Sequence, residues 1–378
     1  AYAAYAFRYL SGHYEADKEI VMEYNQYRRR SRKIKVGNIY IGGDAEIPVQ
    51  SMTNVPSTDF PTLLAQMRQL EDAGCDIIRM TVPDRESARN ISRLKEAGIT
   101  VPIVADIHFN YRFAIESAAA GADKIRINPG NIGGEERVKA VVAACRNAGI
   151  PIRVGVNSGS LQREILEKYG SPTPEALAES ALLHAALLEK YDFYDTVLAV
   201  KSSDVRTMIQ AVRILAGKCD YPLHLGVTEA GTYKPGVLRS AVGIGSLLCD
   251  GIGDTIRVSL TADPVNEVRE GKALISSLGL TRGAVRVVSC PTCGRTKIDL
   301  IKIASEVEER LSSVRADRQI TVAVMGCAVN GPGEAREADI GIAGGDGEAL
   351  LFRHGVVIGK LPEEGLADRL FEEVLKLI

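Results

Sequence analysis

Residues 77–107 read IIRMTVPDRESARNISRLKEAGITVPIVADI, and this stretch decides the fold. Ile77 to Val82 is a short apolar run with β-branched residues, the pattern of a strand buried on both faces. Arg85 to Ala97 has helical period and closes on Ala97-Gly98, a pair able to stop a helix. Pro102 to Ile107 returns to an apolar run. Strand, helix and strand within about thirty residues make a βαβ unit, whose strands lie parallel with the helix over one face.

The same rhythm extends in both directions. Further runs are Pro48 to Thr53, Lys124 to Pro129, Ile152 to Asn157, Thr196 to Ser202, Leu223 to Thr228 and Asp254 to Leu260. Helical stretches such as Pro61 to Ala73, Glu175 to Lys190 and Val205 to Ala216 lie between them. Eight evenly spaced units predict an α/β fold, a closed (β/α)8 TIM barrel. An open doubly wound sheet is the alternative, but no Gly-x-Gly-x-x-Gly follows the first strand and even spacing fits closure better.

After residue 260 the rhythm changes. A polar helical segment, Asp263 to Leu278, leads to Gly283 and a strand-like Ala284 to Val288. There follow a Cys-Pro-Thr-Cys turn, a helix from Lys297 to Leu311, a strand from Gln319 to Met325, a glycine-rich loop, another strand, a hairpin near Gly347 and a helix from Pro362. The expected division is a barrel over 32–262, a linker and hinge over 263–283, and a smaller α/β domain over 284–378. Residues 1–31, an Ala- and Tyr-rich opening without an initiator methionine, are set aside as a leader, processed or carried over from expression.

Composition agrees with two domains, because 378 residues exceed what one core usually supports. Hydrophobic residues at 46% and a net charge of −2 describe a well-packed globule without a global field for nucleic acid or membrane. No apolar run approaches the roughly 20 residues of a membrane span and no secretory signal is evident, so a cytoplasmic location is expected. Seven cysteines, an odd number without an export signal, point to reduced thiols or metal ligands. Cys75, Cys145, Cys219 and Cys249 sit singly in helical or apolar stretches and read as small buried hydrophobes.

Charges inside strands that are buried on both faces are the first functional signal, since each costs several kcal/mol unless an anion meets it. Arg79 lies in IIRMTV, Arg126 in KIRINPG, Arg153 in IRVGVN, Lys201 at the end of VLAVKSSD and Arg257 in DTIRVSL. From strands 2, 4, 5, 6 and 8 they can converge at the carboxyl-end mouth, where barrel enzymes build their sites. A diphosphate would offset that convergence, because guanidinium forks match phosphate oxygens. The competing reading is internal pairing with carboxylates such as Asp106 and Glu229. Asn54, Asp106, His108, Asn128, Asn157, Ser158, Glu229 and Ser259 occupy the same strand ends. A lone histidine such as His108 is more often structural than catalytic, His224 within a strand still more so, and Glu229 is the better candidate for holding a hydroxyl or relaying a proton.

Cys290-Pro-Thr-Cys293 offers two thiolates from one turn, and Met325-Gly-Cys327-Ala-Val-Asn-Gly-Pro-Gly-Glu334 offers a third. Three thiolates are one short of the usual closed set, leaving a metal position for a weaker, exchangeable group, and Glu334 is the nearest carboxylate. Zinc and an iron–sulfur cluster both remain open on spacing alone.

QSMTN, IIRMTV, ADIHFN, RINPGN, RVGVNSGSL, AVKSSD, GVTEAG, CPTCGR and MGCAVNGPGEAREADIGIAGG follow one another in this order. In this the chain, over residues 32–378, resembles the bacterial 4-hydroxy-3-methylbut-2-enyl diphosphate synthase family of the non-mevalonate isoprenoid pathway. The resemblance implies a TIM barrel joined to a cluster domain, with a [4Fe–4S] centre held by Cys290, Cys293, Cys327 and Glu334. It implies 2-C-methyl-D-erythritol 2,4-cyclodiphosphate as substrate and flavodoxin or ferredoxin as electron donor; Arg79, Arg126, Arg153, Asn157, Lys201, Arg257, Ser259, Asp106 and His108 are then expected to bind the substrate, Glu229 to relay a proton, and Glu334 to take a catalytic part by yielding its place at the iron. It further implies a homodimer in which one barrel mouth faces the partner's cluster. Two other readings remain: a condensing barrel resembling pterin-binding synthases with a structural zinc, and an iron–sulfur carrier with no substrate of its own. The CxxxCxxC loop of a radical S-adenosylmethionine enzyme is absent.

Overall fold

A computed structural model describes the chain apart from residues 1–27, 313, 329 and 330 and the side chains of Pro332 and Glu334. The set-aside leader therefore lies almost wholly outside the described residues. A short antiparallel hairpin comes first, β1 (Ile34–Val36) and β2 (Ile39–Ile41). Six parallel strands then stand side by side in chain order: β3 (Gln50–Met52), β4 (Ile77–Thr81), β5 (Ile103–Asp106), β6 (Lys124–Ile127), β7 (Ile152–Asn157) and β8 (Thr196–Lys201). Two shorter parallel strands, β9 (His224–Leu225) and β10 (Thr255–Ile256), complete the ring. Parallel bridges Leu198 to Leu223 and Ile256 to Val49 join them to β8 and back to β3, so eight strands close.

The βαβ reading of residues 77–107 holds in detail. Asp84 caps the helix Arg85–Glu96 by accepting from the Ser87 N–H at 2.8 Å, and Ala88, Ile91 and Leu94 bury one face on the sheet. Gly98, at φ +91°, supplies the left-handed residue just beyond the helix. Period-two alternation puts Ile77 with Arg79, Val104 with Asp106, and Val197 with Lys201 on the inward face. Ile77, Val104 and Val197 form the lower members of these pairs, and Ile34, Val36 and Ile41 of the hairpin pack against them. The hairpin thus plugs the amino-terminal end of the barrel and leaves the polar members toward the other end.

The helix Pro264–Ser277, within the segment expected to be a linker, packs on the barrel: Gly271 lies against Val49, and Glu267 is buried. Beyond it, Gly279 and Gly283 at φ +69° and +63° lead into a second sheet. Its order is β11 (Val285–Ser289), β12 (Ile320–Met325), β13 (Ile340–Gly344), β14 (Glu348–Arg353) and β15 (Val356–Pro362), the first three parallel and the last two antiparallel. The helices Leu300–Leu311 and Leu366–Leu375 cover one face, with Ile303, Val307, Leu370 and Val374 in a core separate from the barrel's. Among the described residues no helix is long and apolar enough to cross a membrane.

Candidate active site

Arg153 and Lys124 head the largest fully buried side chains of the molecule. Six cations face the barrel interior, namely Arg79, Lys124, Arg126, Arg153, Lys201 and Arg257, but the buried carboxylates among the described residues are Asp106, Asp254 and Glu267. Asp254 is taken by Arg28 and Arg29. Asp123, buried to a like degree as Arg257, is taken by Lys95, so two carboxylates serve six basic side chains.

Their placement follows from register. Asp106, Arg126 and Arg153 are direct neighbours across β5, β6 and β7, and Asn157 stands opposite Lys201 across β7 and β8. Arg126 Nη1 donates to Asp106 Oδ1 at 2.9 Å, and Arg79 Nε lies 3.6 Å from Oδ2. Burial alone would raise the Asp106 carboxyl, but Arg79, Arg126, His108 and Arg153 outweigh it and hold it at about 2. Met52 Sδ lies 2.8 Å from Arg79 Nη2 and 3.6 Å from Arg257 Nη1, so the second and eighth strands meet over the first. Arg257 is clasped by Glu267 through two contacts of 3.1 Å, and that carboxylate also accepts from Ser51 Oγ and the Leu260 N–H at 2.9 Å each.

Internal pairing thus accounts for Arg79, Arg126 and Arg257, with Glu267 in the part foreseen for Glu229. Arg153 and Lys201 have no carboxylate partner among the described residues. Arg153 reaches only Gln50 Oε1, at 3.4 Å, and its Nε is buried without a partner. Burial pushes the Lys201 amine well below its usual range, and Arg79, Arg257, Arg153 and Arg126 push it further. Two glycines make room for these long side chains. A Cβ on Gly155 would sit 2.7 Å from Arg126 Nε, and one on Gly226 would sit 2.9 Å from Lys201 Nζ.

The remaining expected residues ring this cluster at the strand ends. His108 is exposed, its Nε2 4.0 Å from Asp106 Oδ2. Asn157 and Ser259 are half-buried, and Asn128 is buried with its side chain bonded to the Gly130 N–H. Glu229 is exposed and adopts φ +53°, a left-handed conformation that costs a non-glycine residue about 1 kcal/mol or more. Strain of this kind persists only where the surrounding structure holds it, and none of the neighbouring strand-end residues shares it.

In the second sheet, β11 and β12 run parallel with Ser289 opposite Val324, so Cys290 and Cys327 leave the same edge of adjacent strands. The Gly326 N–H donates to Cys290 Sγ at 3.2 Å. Cys293 is exposed, and the Arg295 backbone N–H and guanidinium lower its thiol below the ordinary value. Glu334 closes the short helix Gly331–Glu334 that follows, but its side chain lies outside the described residues. Among the described residues no three His, Cys, Asp or Glu side chains are drawn together round a single-ion site.

Residues 31–272 match the GcpE TIM-barrel domain and residues 286–376 the GcpE protein C-terminal domain. The chain belongs to the GcpE family. Relatives named 4-hydroxy-3-methylbut-2-en-1-yl diphosphate synthase (flavodoxin) include that of Clostridium perfringens, 57% identical over 93% of this chain and 99% of the relative, and that of Caldanaerobacter subterraneus, 56% identical over 93% and 98%. Among solved structures, dihydropteroate synthase of Thermus thermophilus overlays with a TM-score of 0.47 at 17% identity, covering 66% of this chain and 99% of that one. The TIM-barrel expectation holds for this GcpE-family chain. Sequence reasoning missed Glu267, Gln50 and Lys124 in the GcpE barrel. Glu267 sat in a presumed linker, and Lys124 opened a run where a flanking lysine is ordinary.

Proposed function

We propose that this enzyme opens the ring of 2-C-methyl-D-erythritol 2,4-cyclodiphosphate and removes water to give (E)-4-hydroxy-3-methylbut-2-enyl diphosphate, with flavodoxin or ferredoxin as electron donor. Two electrons and two protons enter, and one water leaves. The observation that carries the reading is the pair Arg153 and Lys201, buried at a barrel mouth with no carboxylate partner among the described residues, in a chain whose relatives are named for a diphosphate product. Arg153 and Lys201, lacking carboxylates, supply the primary grip on the diphosphate. Arg79, Arg126 and Arg257, pre-aimed by Asp106 and Glu267, complete it at little cost in ordering. Asn157, Ser259 and His108 orient the remaining oxygens, and the strained Glu229 holds a hydroxyl or moves a proton at the mouth.

The donor set of the second domain fits an iron–sulfur group. Three free thiols leave one sheet edge, an N–H already points at Cys290 Sγ, and Cys293 is biased toward thiolate. Cys290, Cys293 and Cys327 with Glu334 would hold a [4Fe–4S] cluster. When bound, the cluster supplies electrons one at a time. A homodimer that sets one barrel mouth against the partner's cluster completes the reading, with the glycines at 279 and 283 absorbing the closure. Its setting is the cytoplasm, and the units we assign are the barrel and the cluster domain joined near these glycines. The test is turnover. Anaerobically purified enzyme with reduced flavodoxin should convert the cyclodiphosphate to the allylic alcohol diphosphate, and binding without conversion under those conditions would overturn the assignment.

A further inference from the structure

Below the site just described lies a second tier that the mechanism does not use. Lys124 precedes Arg126 by two residues on β6, so it shares the inward face one step deeper. It is 0% exposed, and its Nζ has no hydrogen-bond partner among the described residues. His224 on β9 is buried too, and among the described residues both its ring nitrogens and Gln50 Nε2 are unpartnered. The groups facing Lys124 are Arg153 from β7, Arg79 from β4 and Asp123 just ahead of β6; those facing His224 are Arg153, Lys201, Lys124 and Arg79. Asp123, the only acid here among the described residues, is already engaged by Lys95 Nζ at 2.5 Å and the Ile103 N–H at 2.7 Å. β5, β8 and β10 contribute no charge at this depth, presenting Val104, Val197 and Thr255.

A buried ammonium beside two guanidiniums, with no protein acceptor among the described residues, is costly, and a lysine, unlike an arginine, escapes that cost by releasing its proton. We propose that the barrel takes up protons when it binds its diphosphate, and that Lys124, with His224 beside it, is a deep tier that adjusts the charge of the site to its ligand. Burial pushes Lys124 and His224 well below their usual values, with Arg153 adding to both. An anion entering above Arg153 offsets that repulsion, raises the affinity of the tier for protons and draws them from solution between the free and bound values. The surplus then follows the substrate. Each phosphorus of the cyclic diphosphate carries one ionised oxygen and no second ionisation, whereas ring opening frees a further acidic oxygen. The tier therefore meets both the entering dianion and the more highly charged product without leaving a bare charge in either state. Lys124 does not touch the ligand; it is a positioning residue for charge.

This inference rests on the diphosphate reading, and one experiment separates their failures. The cyclodiphosphate is titrated calorimetrically into iron-loaded enzyme without reductant at pH 7.5, in PIPES, HEPES and Tris. Because the ligand itself does not titrate there, dependence of the heat on buffer ionisation enthalpy reports protons taken by the protein. The expected result is uptake on the order of one proton per ligand, reduced by about half or more in Lys124→Met, with affinity weakened about tenfold in that variant. Binding with heats independent of buffer overturns the inference and leaves the substrate reading intact. No binding in any buffer sinks both. Uptake undiminished in Lys124→Met overturns the assignment to the deep tier. Should that variant fail to fold, the wild type decides: uptake should appear at some pH between about 5.5 and 9, and heats independent of buffer across that whole range overturn the proposal.

Discussion

Asp106→Asn removes the counterion that Arg79 and Arg126 share while keeping its shape. The carboxyl is held at about 2 in the folded chain against an ordinary 3.8, which at about 1.4 kcal/mol per pH unit contributes about 2 kcal/mol at neutral pH. Its folded value lies below its unfolded one, so the contribution is fully present above pH 4 and is lost as pH falls toward 2. For a barrel of this size, about 2 kcal/mol lowers the melting temperature by roughly 4 to 8 °C. The chain holds no tryptophan, so far-UV circular dichroism is the natural probe. Ligand-free Asp106→Asn should melt lower by that margin at pH 7, and the gap should shrink to about half by pH 3. A variant that melts with the wild type at pH 7, or a gap that widens on acidification, would refute the pairing.

Three further substitutions probe other parts of the site. Glu267→Gln leaves Arg257 half-paired and puts an amide N–H₂ against donors, so it should cost about 2 to 3 kcal/mol in urea unfolding and weaken substrate binding; a wild-type unfolding curve would show the clasp to be idle. Glu229→Gly relieves the φ +53° strain and should stabilise the fold by about 1 kcal/mol while depressing turnover. Full activity in that variant would remove Glu229 from the chemistry. Gly155→Ala drives a methyl to 2.7 Å from Arg126 Nε and should weaken cyclodiphosphate binding about tenfold with little change in the visible spectrum, whereas unchanged affinity would mean that Arg126 yields without cost.

The barrel was legible because strands buried on both faces leave uninterrupted apolar runs, and the cations in those runs stood out against them. Asp106 was legible as a partner because adjacent register brings it beside Arg126. Glu267 was not, since its role depends on the helix Pro264–Ser277 folding back on β3, a long-range contact with no local signal. The hairpin plug had a signal in IKVGNIYI, apolar alternation around Gly37-Asn38, but it stood ahead of the repeating units and was passed over. β15 escaped because its turn, His354-Gly355 with both residues at positive φ, is a weaker hairpin cue than Asn-Gly.

The central claim is that a cationic barrel mouth and a three-cysteine domain serve one reaction. Anaerobic purification followed by iron and sulfide analysis and visible absorption, with and without the cyclodiphosphate, tests it most directly. The account predicts a brown protein with about four irons per chain whose spectrum shifts when the cyclodiphosphate is added. A colourless protein containing zinc, or a cluster spectrum indifferent to saturating cyclodiphosphate, would contradict it.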